Sequence, residues 1–167
     1  MKTRIITDSA SDILEGEYEN LTVLPLSITF GTVTYLDGVD LSHDRFYEKL
    51  VESDELPRTS QVTPFAFSQV IEGVLGAPDA GGSDEAVVIT LSAKLSGTHE
   101  SALAAAQAWG GRVHVVDSTN VTIGQKALAA YAVRLAKQGM SAAQIVCELD
   151  DAKARIRLVA LLDTLEY

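Results

Sequence analysis

Short apolar, β-branched runs alternate along the chain with longer stretches in which apolar residues recur at helical spacing. That alternation predicts βα units around a mostly parallel β-sheet flanked by helices, an α/β fold whose strands are covered on both faces. The expected strands are Arg4 to Thr7, Thr22 to Thr29, Val87 to Leu91, Val113 to Val116, and Leu158 to Leu162. The expected helices follow Ser42, Thr63, Ser96, Thr122 and Ser141, whose side-chain oxygens can accept from the free N–H groups of a first turn. Thr63-Pro64 is the clearest start, because proline suits the first helical position. Gly76-Ala77-Pro78-Asp79-Ala80-Gly81-Gly82-Ser83-Asp84 is expected to be a surface loop, and Gly110-Gly111 separates a helix from the next strand. Gly31 and Asp37-Gly38 around Thr32-Val33-Thr34-Tyr35 predict a small antiparallel excursion at the sheet edge.

Composition narrows the picture. The 167 residues suffice for one ordinary domain, and 47% hydrophobic with 22% charged residues is globular composition. The net charge of -10, with no local Lys/Arg cluster, argues against a nucleic-acid partner. Cys147, the only cysteine, excludes an intrachain disulfide; it falls among apolar residues of an expected helix and fits a reducing compartment. The N-terminal stretch meets Asp8 after two isoleucines, whereas a signal peptide needs an apolar run of about 7–15 residues. Ala86-Val87-Val88-Ile89-Thr90-Leu91 is far shorter than the roughly 18 apolar residues of a membrane-spanning helix. A cytoplasmic protein with no integral membrane segment is the expectation.

Ligands of open α/β sheets bind beyond the carboxyl ends of the strands. Those positions are rich in hydroxyls here: Thr7-Asp8-Ser9-Ala10-Ser11-Asp12, Ser92-Ala93-Lys94-Leu95-Ser96-Gly97-Thr98 and Asp117-Ser118-Thr119, to which Arg58-Thr59-Ser60-Gln61 is added. Ser96-Gly97-Thr98 opens a helix, where free N–H groups and the macrodipole favour an anion. Gly97 would let an oxygen approach the backbone without meeting a Cβ, while Ser96 and Thr98 add hydroxyl donors. Thr59 and Ser60 precede the Thr63-Pro64 helix and supply a second set of donors. Ser96, Thr98 and Thr63 are each also compatible with a purely structural capping role. The candidate ligand-contacting set is therefore Thr59, Ser60, Ser96, Gly97 and Thr98, with Asp8 and Ser9 from the end of the first strand.

Catalytic patterns are thin. Neither a P-loop nor a three-glycine dinucleotide fingerprint is present. Asp8 could serve as an aspartyl nucleophile, but the next carboxylate is Asp12, too far along to be its acid/base partner. Ser96, His99 and Asp117 could be drawn as a triad, yet no nucleophile-elbow pattern surrounds Ser96. His43, Asp44 and Asp40 form one weak cluster lacking a second His or any Cys, so no metal is expected. His114 reads as a strand residue, and the alanine-rich runs Leu103 to Trp109 and Ala127 to Ala136 read as helix faces packed on a sheet.

Ile6-Thr7-Asp8-Ser9, Leu24-Pro25-Leu26, Pro57-Arg58-Thr59-Ser60-Gln61, Leu95-Ser96-Gly97-Thr98 and Val115-Val116-Asp117-Ser118, in that order and spacing, resemble the DegV family. The resemblance implies a non-catalytic carrier that binds a long-chain fatty acid, its acyl tail in a buried tunnel, and in many bacteria presents it to a separate fatty acid kinase that phosphorylates the carboxyl group. It places carboxylate hydrogen bonds on Thr59 and Ser96, with no cofactor beyond the fatty acid as ligand. A phosphotransferase or hydrolase using Asp8 or Ser96 is the alternative. Two positions depart from the family pattern: His99 stands where tyrosine is frequent, and Val62 where proline is frequent. The resemblance covers residues 1–167 as the N-terminal lobe of a two-lobe architecture, with the second lobe absent from this chain. A poorly enclosed tail and self-association through uncovered apolar surface are expected on that reading.

Overall fold

The computed structural model describes residues 2–53, 55–77, 84–159 and 161. Its centre is a parallel sheet of β1 (Thr3–Asp8), β2 (Leu21–Leu24), β6 (Glu85–Thr90) and β7 (Val113–Asp117), in the order β2-β1-β6-β7. The two-residue alternation of the strands assigns neighbours to opposite layers. Ile5, Val87, Ile89 and Val116 face Leu128, Ala132, Ile145 and Leu149; these lie on α4 (Ile123–Lys137) and α5 (Ala142–Lys153). Ile6, Ala86, Val88 and Val113 face Phe67, Ile71, Ala102 and Ala105; these lie on α2 (Pro64–Leu75) and α3 (Thr98–Ala106). The expected α/β class is what forms, because runs such as Ala86 to Ile89 are wholly buried and need helices on both faces.

The single expected strand Thr22 to Thr29 is two strands. Leu24 pairs with Asp8 in the parallel sheet. Pro25 then follows, which has no N–H with which to continue the ladder. The chain turns out, and β3 (Ser27–Phe30) starts a separate antiparallel sheet with β4 (Val33–Leu36) and β5 (Arg58–Ser60). The hairpin between β3 and β4 is the expected excursion, with Gly31 at φ 56 in its turn. Strand β5 was not foreseen: its Arg-Thr-Ser sequence has no apolar alternation, and only its register, Ile28 opposite Thr59, makes it a strand.

Three expected caps form. Ser42 Oγ accepts from Arg45 N at 3.3 Å at the start of α1 (His43–Glu52), and Thr63 Oγ1 accepts from Ala66 N at 3.2 Å with Pro64 following it. Ser141 and Gln144 exchange bonds in a capping box. The cap of α3 is Gly97 rather than Ser96. Thr122 makes no side-chain cap; its backbone is left-handed at φ 49, and its N–H instead donates to Ala10 O at 2.7 Å. The expected strand Leu158 to Leu162 does not form over Leu158, Val159 and Leu161, which pair with no strand among the described residues and stand exposed; Ala160 and Leu162 lie outside them. Residues 78–83 of the expected surface loop also lie outside the described set, and Gly76, Ala77 and Asp84 are irregular. Cys147 is exposed on α5 rather than enclosed.

Candidate ligand-binding site

The carboxyl ends of β1 and β6 open onto a cavity of about 410 Å³ roofed by the antiparallel sheet. Its lining mixes apolar residues, Ala10, Leu26, Ile28, Leu91 and Leu95, with the polar stretches Thr59-Ser60-Gln61 and Ser96-Gly97. Asp37 is the only charged lining residue, and no cation lies among the described lining residues. An acceptor in this cavity would therefore be met by neutral donors, each contributing about 1 kcal/mol net. A larger depression of about 580 Å³ sets Thr32 and Ser53 among the charged groups of Lys49, Glu52 and Glu55.

Thr59 reaches the cavity because β5 sits opposite Ile28 of β3, and among the described residues neither Thr59 nor Ser60 spends its hydroxyl on another protein group. Ser96 is held from the other side. The loop after β6 folds on Ser92, whose backbone oxygen accepts from Leu95 N and Ser96 N. Ser96 Oγ accepts from Thr98 N at 3.2 Å and lies 2.9 Å from Thr98 Oγ1. Thr98 is fully buried and in turn accepts from Val62 N at 3.3 Å, so the strap after β5 is tied to the start of α3. Gln61 adds a second tie, its Nε2 donating to Ser101 Oγ at 3.0 Å. The space over Gly97, read from the sequence as room for a ligand oxygen, is held by the Gln61 carboxamide, whose carbon would be 3.0 Å from a Cβ at that position.

Asp8 and Ser9 lie behind the cavity and hold its walls. Asp8 Oδ2 accepts from Leu91 N at 2.8 Å, and its Oδ1 from Ala10 N at 3.2 Å and from Gln125 Nε2 at 3.0 Å. Ser9 Oγ accepts from Leu26 N at 3.0 Å. Ala10, Leu26 and Leu91 all line the cavity, so the end of β1 sets the position of its apolar lining. Burial pushes the Asp8 carboxyl up to about 6, against the opposing pull of the Gln125 and backbone hydrogen bonds.

Of the seven candidate residues, then, Thr59, Ser60, Ser96 and Gly97 share the cavity, while Thr98, Asp8 and Ser9 stand in its supporting layer. The drawn triad does not assemble as a relay: His99 Nδ1 pairs with Thr90 Oγ1 at 3.0 Å, and Asp117 Oδ1 accepts from Ala93 N and Thr119 N. No group of three or more His, Cys, Asp or Glu side chains suited to a metal occurs among the described residues. Sequence reasoning gave no role to Gln61 or Gln125. Gln125 left a signal, being a polar residue on the apolar face of α4 with Leu128 and Ala129, where only a paired amide could be buried. Gln61 stands in the Pro57-Arg58-Thr59-Ser60-Gln61 motif, but its role was hidden because its partners Gly97 and Ser101 are distant in sequence.

Fold and site together define an α/β protein with a hydroxyl-rimmed, half-apolar cavity beyond the carboxyl ends of a parallel sheet. The family model described as "Uncharacterised protein, DegV family" matches residues 2–167, and the chain belongs to that family. It is 36% identical over 169 residues to a DegV domain-containing protein of Caldanaerobacter subterraneus, covering 99% of this chain and 58% of that protein. Among solved structures, DegV of Bacillus subtilis, described as a fatty acid binding protein, superposes with a TM-score of 0.81 at 30% identity, over 92% of this chain and 54% of that one. A DegV family protein from Thermus thermophilus, described by its fatty acid binding, superposes with a TM-score of 0.81 at 29% identity, over 92% and 54%. The chain spans a little over half the length of these relatives. No helix among the described residues is long and apolar enough to cross a membrane.

Proposed function

We propose that this chain holds a long-chain fatty acid by its carboxylate, with Thr59 and Ser96 donating to the two carboxylate oxygens, and that it serves as a cytoplasmic, non-catalytic carrier that presents the acid to a fatty acid kinase. The observation that carries the reading is that Thr59 and Ser96 line one cavity together with the apolar residues Leu26, Ile28, Leu91 and Leu95. Ser60 and the Gly97 backbone border the same head-group position. The first methylenes would run along Leu26, Ile28, Leu91 and Leu95, and each methylene buried contributes about 0.8 kcal/mol, so the tail supplies most of the affinity. We assign the rest of the tail's enclosure to a second lobe, of the kind the relatives' additional length can accommodate. The carrier reading is favoured over a hydrolase or phosphotransferase because the Asp8 carboxylate is buried behind the wall and His99 is engaged by Thr90.

Lipid extraction of the full-length protein is expected to yield a fatty acid, and the delipidated protein to take up palmitate. Thr59→Val and Ser96→Ala should each weaken palmitate binding by about ten- to a hundredfold, the worth of one charge-assisted hydrogen bond. Addition of the kinase and ATP should convert the bound acid to an acyl phosphate. Protein that yields no acyl lipid and takes none up would end the proposal.

A further inference from the structure

Resting on the carboxylate reading just given, the hydrogen-bond inventory of one buried threonine sets which head groups the cavity can accept. Thr98 is 0% exposed, so both its hydroxyl proton and its hydroxyl oxygen need partners inside the protein. Its oxygen accepts from the backbone N–H of Val62 at 3.3 Å. A backbone N–H cannot accept in return. The one acceptor within hydrogen-bond distance of the Thr98 hydroxyl, among the described residues, is Ser96 Oγ at 2.9 Å. If Ser96 donated to Thr98 instead, the Thr98 proton would be left buried without an acceptor, at a cost of about 1–3 kcal/mol. The proton therefore runs from Thr98 to Ser96.

Ser96 Oγ also accepts the Thr98 backbone N–H at 3.2 Å. A hydroxyl oxygen has two lone pairs. Both are then occupied, one by the Thr98 O–H and one by the Thr98 N–H, and the remaining capacity of Ser96, a residue that lines the cavity, is its own proton. We infer that Thr98 is a specificity-determining positioning residue that fixes Ser96 as a donor only, so the Ser96 side of the cavity favours head groups that offer an acceptor over those that only donate. Val62 is part of the same device, because its N–H leaves the Thr98 proton with no other direction. Asp37, the one charged lining group among the described residues, is an anion and does not attract a carboxylate, so the preference set at Ser96 is one of hydrogen-bond polarity.

The test compares palmitate, an acceptor, with hexadecylammonium, a donor of the same tail length, on the delipidated full-length protein, its Thr98→Val variant and its Thr98→Ser variant. Loss of the Thr98 hydroxyl frees one lone pair of Ser96, and the preference for palmitate over the ammonium should fall by about tenfold, the worth of one hydrogen bond. Thr98→Ser should restore the preference. A Thr98→Val protein that binds both ligands more weakly but in the original ratio would show a merely structural role and overturn the inference. Neutron diffraction of the unliganded protein gives a second readout that needs no ligand: density for the Thr98 hydroxyl deuterium on the line to Ser96 Oγ supports the assignment, and a Ser96 deuterium directed at Thr98 overturns it. Failure of the wild type to bind palmitate, with the deuterium on Thr98 as expected, would remove the carboxylate reading and leave the donor-only Ser96 standing.

Discussion

The Gln61 carboxamide fills the space over Gly97, Oε1 foremost, with its carbon 3.0 Å from where a Cβ would stand and its Nε2 3.3 Å from the same point. The contact joins the strap carrying Thr59 to the loop carrying Ser96, which are also linked by the Val62–Thr98 hydrogen bond. Gly97→Ala should displace the amide and break its bond to Ser101, lowering stability by only about 1 kcal/mol because the end of a flexible side chain can move. Gln61→Ala should cost a similar amount. The double variant is expected to lose less than the sum, by about 0.5 kcal/mol or more, in a denaturant-unfolding cycle. Strict additivity would mean the two residues are not coupled.

Asp8 is expected to make the protein gain stability, from this one group, on mild acidification. Its carboxyl titrates at about 6 in the folded chain against an ordinary 3.8. The folded state thus takes up the proton first as pH falls, so the contribution of Asp8 is largest below the ordinary value and is lost as pH rises through about 6. Between pH 7 and pH 5 the gain is about 1 kcal/mol, or roughly 2–4 °C in melting temperature for a chain of this size. Comparing the melting temperatures of wild type and Asp8→Asn at the two pH values isolates the effect from other carboxylates. Parallel profiles would refute it.

Ser9→Ala should destabilise the fold by about 1–3 kcal/mol, since Leu26 N would be left buried without its acceptor. The urea midpoint should fall with the slope unchanged. Because Leu26 lines the cavity, palmitate affinity should fall with it, although Ser9 does not border the cavity.

Much of the fold was legible along the chain because its signals are local. The β-branched runs that become β1, β6 and β7 and the caps Ser42, Thr63 and Ser141 depend on neighbours within a few residues. Ser96 stands where the rule that strand ends carry sites points, whereas Thr59 follows no expected strand and enters only for its hydroxyl. What escaped depends on distant partners or on a residue passed over. Pro25 is a local signal, but the apolar run on both sides of it masks the break it makes. Strand β5 exists only through its pairing with β3. Thr122 looked like a cap, but its backbone is held left-handed as its N–H reaches Ala10 O, more than a hundred residues earlier in the sequence. For Asp8 and Thr98 the residue type was read correctly, while burial, invisible in a list of hydroxyls, placed them one layer behind the cavity.

The two sides of the cavity are built to different standards of firmness. Thr59 stands on β5, exposed along its whole length, in a sheet flanked by α1, a helix with no buried residue. Ser96 leans on β6 and α3, among the most deeply enclosed backbone in the chain. Local opening free energy follows enclosure. Amide hydrogens of β3 and β5 should accordingly exchange far sooner than those of β6, and a molecule bridging Thr59 and Ser96 should slow the first group while leaving the second as it was. Occupancy would then register as the quieting of one half of the protein, with the other half serving as its internal reference.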